Sequence, residues 1–273
     1  MTAQRPSLTS ARGRIKVDKK RRGRGRAHRK GECSMSYGRI GVIGAMDSEL
    51  AALIAALAQP ARETVQGLAF HTGRLGAREV VLVRCGIGKV SAARCTQVLI
   101  DRFAPAAVIN TGIAGGLGAG LAVGDIVVAD GLVQHDFDAA PIGFVRGCLC
   151  MGDPCTPTVF TPDEPLSALL ARTAGDAAGA QRVHRGLIAT GDQFISGAAA
   201  KAALRRAFPA AMAAEMEGGA VAQAASMSGV PFAVVRAISD LADGTAAASF
   251  EQFEQHAADI SAAAVLQALA LLD

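Results

Sequence analysis

Four short runs in this chain are apolar almost from end to end: "VVLV" at 80–83, "AVIN" at 107–110, "IVV" at 126–128 and "AVVRAI" at 233–238. A strand with one solvated face alternates apolar and polar residues, whereas a strand covered on both faces does not. Amphipathic segments separate these runs. In "DSELAALIAALA", for example, Leu50, Leu53, Ile54 and Leu57 recur at helical spacing. Strands alternating with helices predict an α/β fold: a three-layer α/β/α sandwich around a central, largely parallel mixed sheet.

The remaining segments extend the pattern. "RIGVIGA" (39–45) reads as a buried strand, and Asp47 as the N-cap of the helix that follows, with Glu49 in its first turn. A hairpin is expected around "GRLGARE", then the helix "KVSAARCTQVLIDRF". Further strands are expected at "AAVINTG", "GDIVVADGLVQHDFD", "VHRGLIATGDQFI", "AAMAAEME" and "PFAVVRAISD", with helices between and after them. In open α/β sheets ligands bind beyond the carboxyl ends of the strands. The polar clusters "GAMDSE", "NTGIAGG", "TGDQF", "EMEGG" and "ISD" all fall there.

The net charge of +4 conceals two regions. Residues 1–34 hold 12 of the 28 Lys and Arg and 2 of the 24 Asp and Glu, which leaves 16 basic and 22 acidic residues downstream. The basic run lacks the apolar core of a secretory signal. We expect it to be a disordered extension, dispensable or created by a start upstream of Met35, followed by one domain over 38–273. Non-specific contact with nucleic acid is expected of this tail alone, since the acidic domain has no Trp and a single Tyr. The uncharged stretch 103–124 contains six Gly and a Pro, which indicate strand and turn, so no membrane association is expected.

Cysteine use points to a cytoplasmic chain with reduced thiols. "CLCMGDPC" places Cys148, Cys150 and Cys155 close together, but without the paired C-x2-C spacing of a zinc site. His135 completes such a set only on paper, and a lone loop histidine is more often structural. No metal and no cofactor are expected.

Two stretches carry acids at the expected binding end. In an unbroken strand Arg236, Ile238 and Asp240 of "VVRAISD" share a face, with the Arg and Asp Cα atoms about 13 Å apart at about 3.3 Å per residue. They cannot pair, so Arg236 needs an anion from elsewhere. "EMEGG" sets Glu215 and Glu217 two apart at a strand end, where burial requires cations or hydroxyl donors. Singly, each of these also fits a bland reading: a tight turn, a helix-dipole partner, or a pair of solvated acids.

Together, "IGVIGAMDSEL", "INTGIAGGL", "TGDQFIS", "AEMEGGAVA" and "VVRAISDLAD…SFEQF", in this order over residues 39–270, closely resemble the methylthioadenosine/S-adenosylhomocysteine nucleosidases of the purine nucleoside phosphorylase superfamily. The resemblance implies hydrolysis of the N-glycosidic bond of adenosine thioethers. Asp240 would protonate the leaving adenine and Glu49 would activate water. Glu217 would hold the ribose diol with Met216 beneath the sugar. Gly115 and Ile195 would offer backbone groups, Phe194 would stack on the purine and Phe250 would close the alkylthio end. Met46, Ala114, Ser239 and Arg236 complete the implied binding set, with Glu49 or Glu215 the candidate partner of Arg236.

The family also implies a homodimer in which the loop over 135–155 crosses to the neighbour, with Ile142 reaching its thioether pocket. One departure is Ile113, where the family often has a small hydroxyl residue. Losing that hydroxyl forfeits one hydrogen bond to the water, about 0.5–1.5 kcal/mol. Three alternatives stay open: a nucleoside phosphorylase, a hydrolase of a related adenine nucleoside such as aminodeoxyfutalosine, and a non-catalytic nucleoside binder.

Deleting residues 1–34 is expected to leave the melting temperature and kcat/KM nearly unchanged and to abolish salt-sensitive retention on heparin. A large fall in melting temperature would show that the extension docks on the domain.

Overall fold

A computed structural model describes residues 37–149, 155–179 and 182–272. The basic extension over 1–34 and the thiols Cys33 and Cys150 lie outside the described residues. The first half of the domain runs β1 (Ile40–Gly44), α1 (Asp47–Ala55), β2 (Ala58–Val65), β3 (Leu68–Leu75), β4 (Arg78–Arg84), α2 (Lys89–Phe103), β5 (Ala107–Gly116) and β6 (Ile126–Gln134). The second half runs β7 (Val159–Phe160), α3 (Glu164–Ala178), β8 (Val183–Thr190), α4 (Ala198–Ala207), β9 (Ala211–Glu215), α5 (Gly218–Met227), β10 (Phe232–Asp240) and α6 (Ala246–Leu271).

The expected α/β architecture is what the chain adopts, with a mixed sheet in the order β10-β6-β8-β9-β5-β1-β4-β3-β2. β5 organises it. Its first half pairs in parallel with β1, and most of its length pairs in parallel with β10. Gly115 and Gly116 at its end pair antiparallel with Ala214 and Ala213 of β9. Because β10 leads through β6 and β8 to β9, these five strands return to β5 and close a ring. β1, β4, β3 and β2 fan outward from it.

Continuous apolar runs bury both faces. On one side Leu50 and Leu53 of α1, Leu166 and Leu170 of α3 and Val265 and Leu269 of α6 meet Val42, Ile109 and Val235 of the sheet. On the other, Cys95 and Leu99 of α2 and Val221 of α5 meet Ile43, Val83 and Val234. Successive strand residues thus feed opposite layers. Among the described residues no helix is long and apolar enough to cross a membrane.

The structure differs from the sequence-based expectation in four places. β2 was not anticipated: "AQPARETV" is polar, contains Pro60 and is largely exposed, as an edge strand with no core-facing stripe can be. The N-cap of α1 is Met46, not Asp47. Glu49, the third helical residue, reaches back to accept from the Met46 N–H at 3.0 Å, the carboxylate half of a capping box. In β10 the register slips: Ile238 opposes Ala114, but Asp240 rather than Ser239 opposes Gly115. This extra residue breaks the alternation that would have put Asp240 on the face of Arg236.

The fourth difference is the loop after β6, which packs on its own subunit more than expected. Arg146 donates to the His135 carbonyl at 2.6 Å and the Gly147 N–H to the Phe137 carbonyl at 2.8 Å. Phe137, Phe144 and Leu149 are half-buried, whereas Ile142, ending a short 3-10 turn, is 74% exposed.

Candidate active site

The ends of β1, β5, β9 and β10 surround one cleft, which holds about 530 Å³ of empty space open to solvent. Met46, Glu49, Ala114, Gly115, Phe194, Met216, Glu217, Ser239, Asp240 and Phe250 line it, and Ile195 lines the adjoining recess beside Phe194 and Asp240. Eleven of the twelve positions implied by the resemblance therefore converge. Arg236 is the twelfth. It is 1% exposed and lies behind the carboxylates rather than on the cleft surface.

Arg236 has found its anion in Glu215, at 2.6 Å. Its guanidinium also donates to the Asn110 side chain and to the Val235 carbonyl at 3.1 Å. Glu215 is saturated: it accepts from Arg236, from the Thr190 hydroxyl and from the N–H groups of Glu217 at 3.0 Å and Gly218 at 2.6 Å. Burial alone would raise its pKa, but Arg236, Thr190 and Gly218 hold it below the usual carboxylate range. The Asn110–Thr190 support was not anticipated, although both residues sit in quoted motifs. The hint was a polar residue inside an otherwise apolar run.

The other three acids face the cleft with less compensation. Glu49 Oε2 accepts from the Ala45 N–H at 2.6 Å, and Oε1 from the Ile113 N–H at 3.1 Å. Burial nevertheless pushes its pKa up, against the pull of Arg236 and these amides. A Cβ on Gly112 would lie 2.4 Å from Glu49 Oε1, so only glycine leaves the carboxylate its place. Glu217 accepts from the Gly88 N–H at 2.8 Å, just before α2. Burial and the charge of Glu215 push it up to about 8. Asp240 Oδ1 accepts from the Ala242 N–H at 2.8 Å, and Oδ2 from the Ser239 hydroxyl at 2.9 Å. Burial raises its pKa despite both bonds.

The apolar part of the lining includes Ile113, the departure noted from the sequence, and Ala45, Ile87 and Ala214, which no residue-level signal marks. Phe194 and Phe250 meet edge to face across the opening, ring centroids 5.7 Å apart. His135 stays outside the lining: it is 1% exposed, packed so closely behind Gly191 that a Cβ there would sit 2.3 Å from Nε2. Among the described residues no group of three or more His, Cys, Asp or Glu is placed to hold a metal ion.

Residues 39–270 match the model of the Phosphorylase superfamily. The 5'-methylthioadenosine/S-adenosylhomocysteine nucleosidase of Actinobacillus succinogenes is 42% identical over 235 residues, spanning 86% of this chain and 100% of the relative. S-adenosylhomocysteine nucleosidase from Streptococcus pyogenes, solved in complex with 5-methylthiotubericidin, superposes with a TM-score of 0.82 at 38% identity, covering 88% of this chain and 99% of that one. The corresponding nucleosidase from Neisseria meningitidis, solved in complex with methylthio-immucillin-A, gives a TM-score of 0.79 at 38% identity, covering 85% and 98%. The chain therefore belongs to the phosphorylase superfamily, within its 5'-methylthioadenosine/S-adenosylhomocysteine nucleosidases.

Proposed function

We propose that this protein hydrolyses the N-glycosidic bond of 5'-methylthioadenosine and S-adenosylhomocysteine, releasing adenine and the thioribose product. One observation carries the choice of hydrolysis over phosphorolysis. Among the described residues the cleft lining contains four carboxylates, Glu49, Glu215, Glu217 and Asp240, and no Lys, Arg or His. The nearby guanidinium of Arg236 is committed to Glu215. Phosphate beside the sugar would find no free cation in the lining to hold it, whereas water needs none. The kinship with nucleosidases at 42% identity supports the same reading.

Breaking the bond builds positive charge on the ribose and negative charge on the purine. Asp240, its pKa raised by burial, supplies a proton to adenine N7 as general acid. When Oδ2 carries that proton, the Ser239 hydroxyl can turn to the Ala114 carbonyl, 3.4 Å away, and leave the acid proton aimed at the ligand. Glu49, also raised by burial, takes a proton from the attacking water and stabilises the cationic sugar. The Ile113 N–H on Glu49 fixes its orientation through the backbone, so the missing side-chain hydroxyl leaves the base in place. Glu217 accepts from the ribose diol with Met216 under the sugar, and adenine lies against Phe194 between the Gly115 backbone and Asp240.

In this reading the active unit spans residues 38–273, works in the cytoplasm, needs no cofactor or metal and forms a homodimer. Ile142, 74% exposed beside Val145 at 37%, is the contact offered to the neighbour's alkylthio pocket. A two-fold pair would present it from both subunits.

Adenine release from 5'-methylthioadenosine is expected to proceed equally with and without phosphate; a requirement for phosphate would overturn the hydrolase reading. Asp240→Asn is expected to lower kcat by at least ~100-fold with ligand binding retained, and near-normal turnover would remove Asp240 from the chemistry. Ile142→Asp is expected to weaken both dimerisation and affinity for the thioether, with less effect on adenosine. Sedimentation showing a fully active monomer at micromolar concentration would refute the shared pocket.

A further inference from the structure

α4 carries a charge where a helix favours one least. Lys201 closes the first turn of Ala198–Ala207, at the end where the helix dipole opposes a cation. It is also half-buried, and loss of water pulls its pKa below the usual lysine value. The ligand surface does not account for it, since Lys201 lines neither the cleft nor the adjoining recess. It donates instead to two main-chain oxygens, the Gly116 carbonyl at 2.9 Å and the Leu241 carbonyl at 2.6 Å.

Both oxygens stand beside the acid. Gly116 ends β5, and a Cβ on it would lie 3.4 Å from the Asp240 carbonyl oxygen. Leu241 follows Asp240, and its carbonyl belongs to the same peptide unit as the Ala242 N–H. That N–H donates to Asp240 Oδ1 at 2.8 Å. The ammonium and the carboxylate therefore hold opposite ends of one amide. A peptide unit is planar, so fixing its oxygen fixes the direction of its N–H. A cation on the oxygen also polarises the amide and strengthens the bond that the N–H makes. Ala242 is left-handed, φ 51°, a conformation that a non-glycine residue keeps only when its surroundings hold it. Lys201 is one of those holds.

We propose that Lys201 is a positioning residue for the general acid: through the Leu241–Ala242 peptide it sets the direction of the Asp240 carboxyl group, and by its charge the ease with which that group releases its proton. The inference rests on the reading of Asp240 as the acid that protonates adenine. The charged groups around Asp240 are Lys201 and Arg205 of α4, Asp243 in the turn, and Glu49, Glu215 and Glu217 across the cleft. Burial and the charge of Asp243 favour the protonated acid, whereas the Ala242 amide, the Ser239 hydroxyl and Lys201 favour the anion. Removing Lys201 thus leaves Asp240 a weaker acid and less firmly aimed.

The test compares the wild type with Lys201→Met and Lys201→Arg, each as the full chain acting on 5'-methylthioadenosine. Lys201→Met is expected to lower kcat about tenfold with KM changed less than about twofold, because the nucleoside does not touch Lys201. The titration of Asp240 is followed by NMR on protein isotope-labelled at the Asp carboxyl carbons, its signal assigned by its loss in Asp240→Asn. In Lys201→Met this titration is expected to move to higher pH. Lys201→Arg keeps the charge and the donors, and should restore most of the rate and the wild-type titration; thermal melts check that each variant is folded. An unchanged kcat in Lys201→Met would overturn the inference. So would a lower kcat with the Asp240 titration unmoved, which is what a purely structural lysine would give. Both results leave the acid role of Asp240 standing, whereas near-normal turnover by Asp240→Asn would remove that role and this inference with it.

Discussion

Arg236 is a full charge inside a sheet, and the surrounding arrangement follows from giving it a partner. Moving an ion out of water costs several kcal/mol unless it is paired and hydrogen-bonded. Glu215 on β9, on the other side of β5, supplies the charge, and the Asn110 side-chain oxygen and two main-chain carbonyls accept further guanidinium N–H groups. That pairing fixes β9 against β5 and β10 at the point where the ring of strands closes, so the floor of the cleft is locked by electrostatics as well as by the ladder. It also sets the character of the other acids. With the Arg236 guanidinium bonded to Glu215, its pull on Glu49 and Glu217 is outweighed by their burial, and both shift toward the protonated form. A raised pKa is what lets a carboxyl group exchange a proton with a substrate.

Much of this was legible in the sequence because the fold is written in periodicity. α2 runs from Lys89 to Phe103, the span read from its amphipathic spacing, and the unalternating runs are the buried strands. The family of the chain was readable from five motifs in order. What escaped was whatever periodicity does not encode. β2 has no buried stripe to reveal it. The bulge at Ser239 depends on how β10 meets Gly115, a partner more than a hundred residues away, and no local signal marks it. Arg236 entered the binding set through the resemblance, with Glu49 or Glu215 as its candidate partner, and the fold shows the partner to be Glu215 and sets the pair behind the ligand surface. Ile87 and Ala214 line the cleft as ordinary apolar residues, indistinguishable from core until the chain is folded.

The irregularity between Ile238 and Asp240 works together with the ion pair. An unbroken β10 would carry Asp240 on the face of Arg236, under α2 and α5 and turned away from Gly115. The extra residue instead sets Asp240 against Gly115, where a Cβ would sit only 3.0 Å from Oδ1. The left-handed Ala242, φ 51°, then turns its N–H back onto the carboxylate. One inserted position thus divides structural charge from reactive charge along a single strand.

The closed ring has a mechanical side as well. Strands joined in a circuit cannot splay apart, so the cleft has no hinge in its floor, and a nucleoside must be admitted by parts attached at the rim. Two such parts exist, the segment bearing Phe194 and the start of α6 bearing Phe250. They are tied by the Gly197 N–H on the Asp243 carbonyl at 2.9 Å as well as by the meeting of their rings. The turn that follows Asp240 thus holds both rim pieces: it receives the Phe194 segment through Asp243 and leads into the helix of Phe250. The rim of the bowl is stitched to the same strand end that carries the acid.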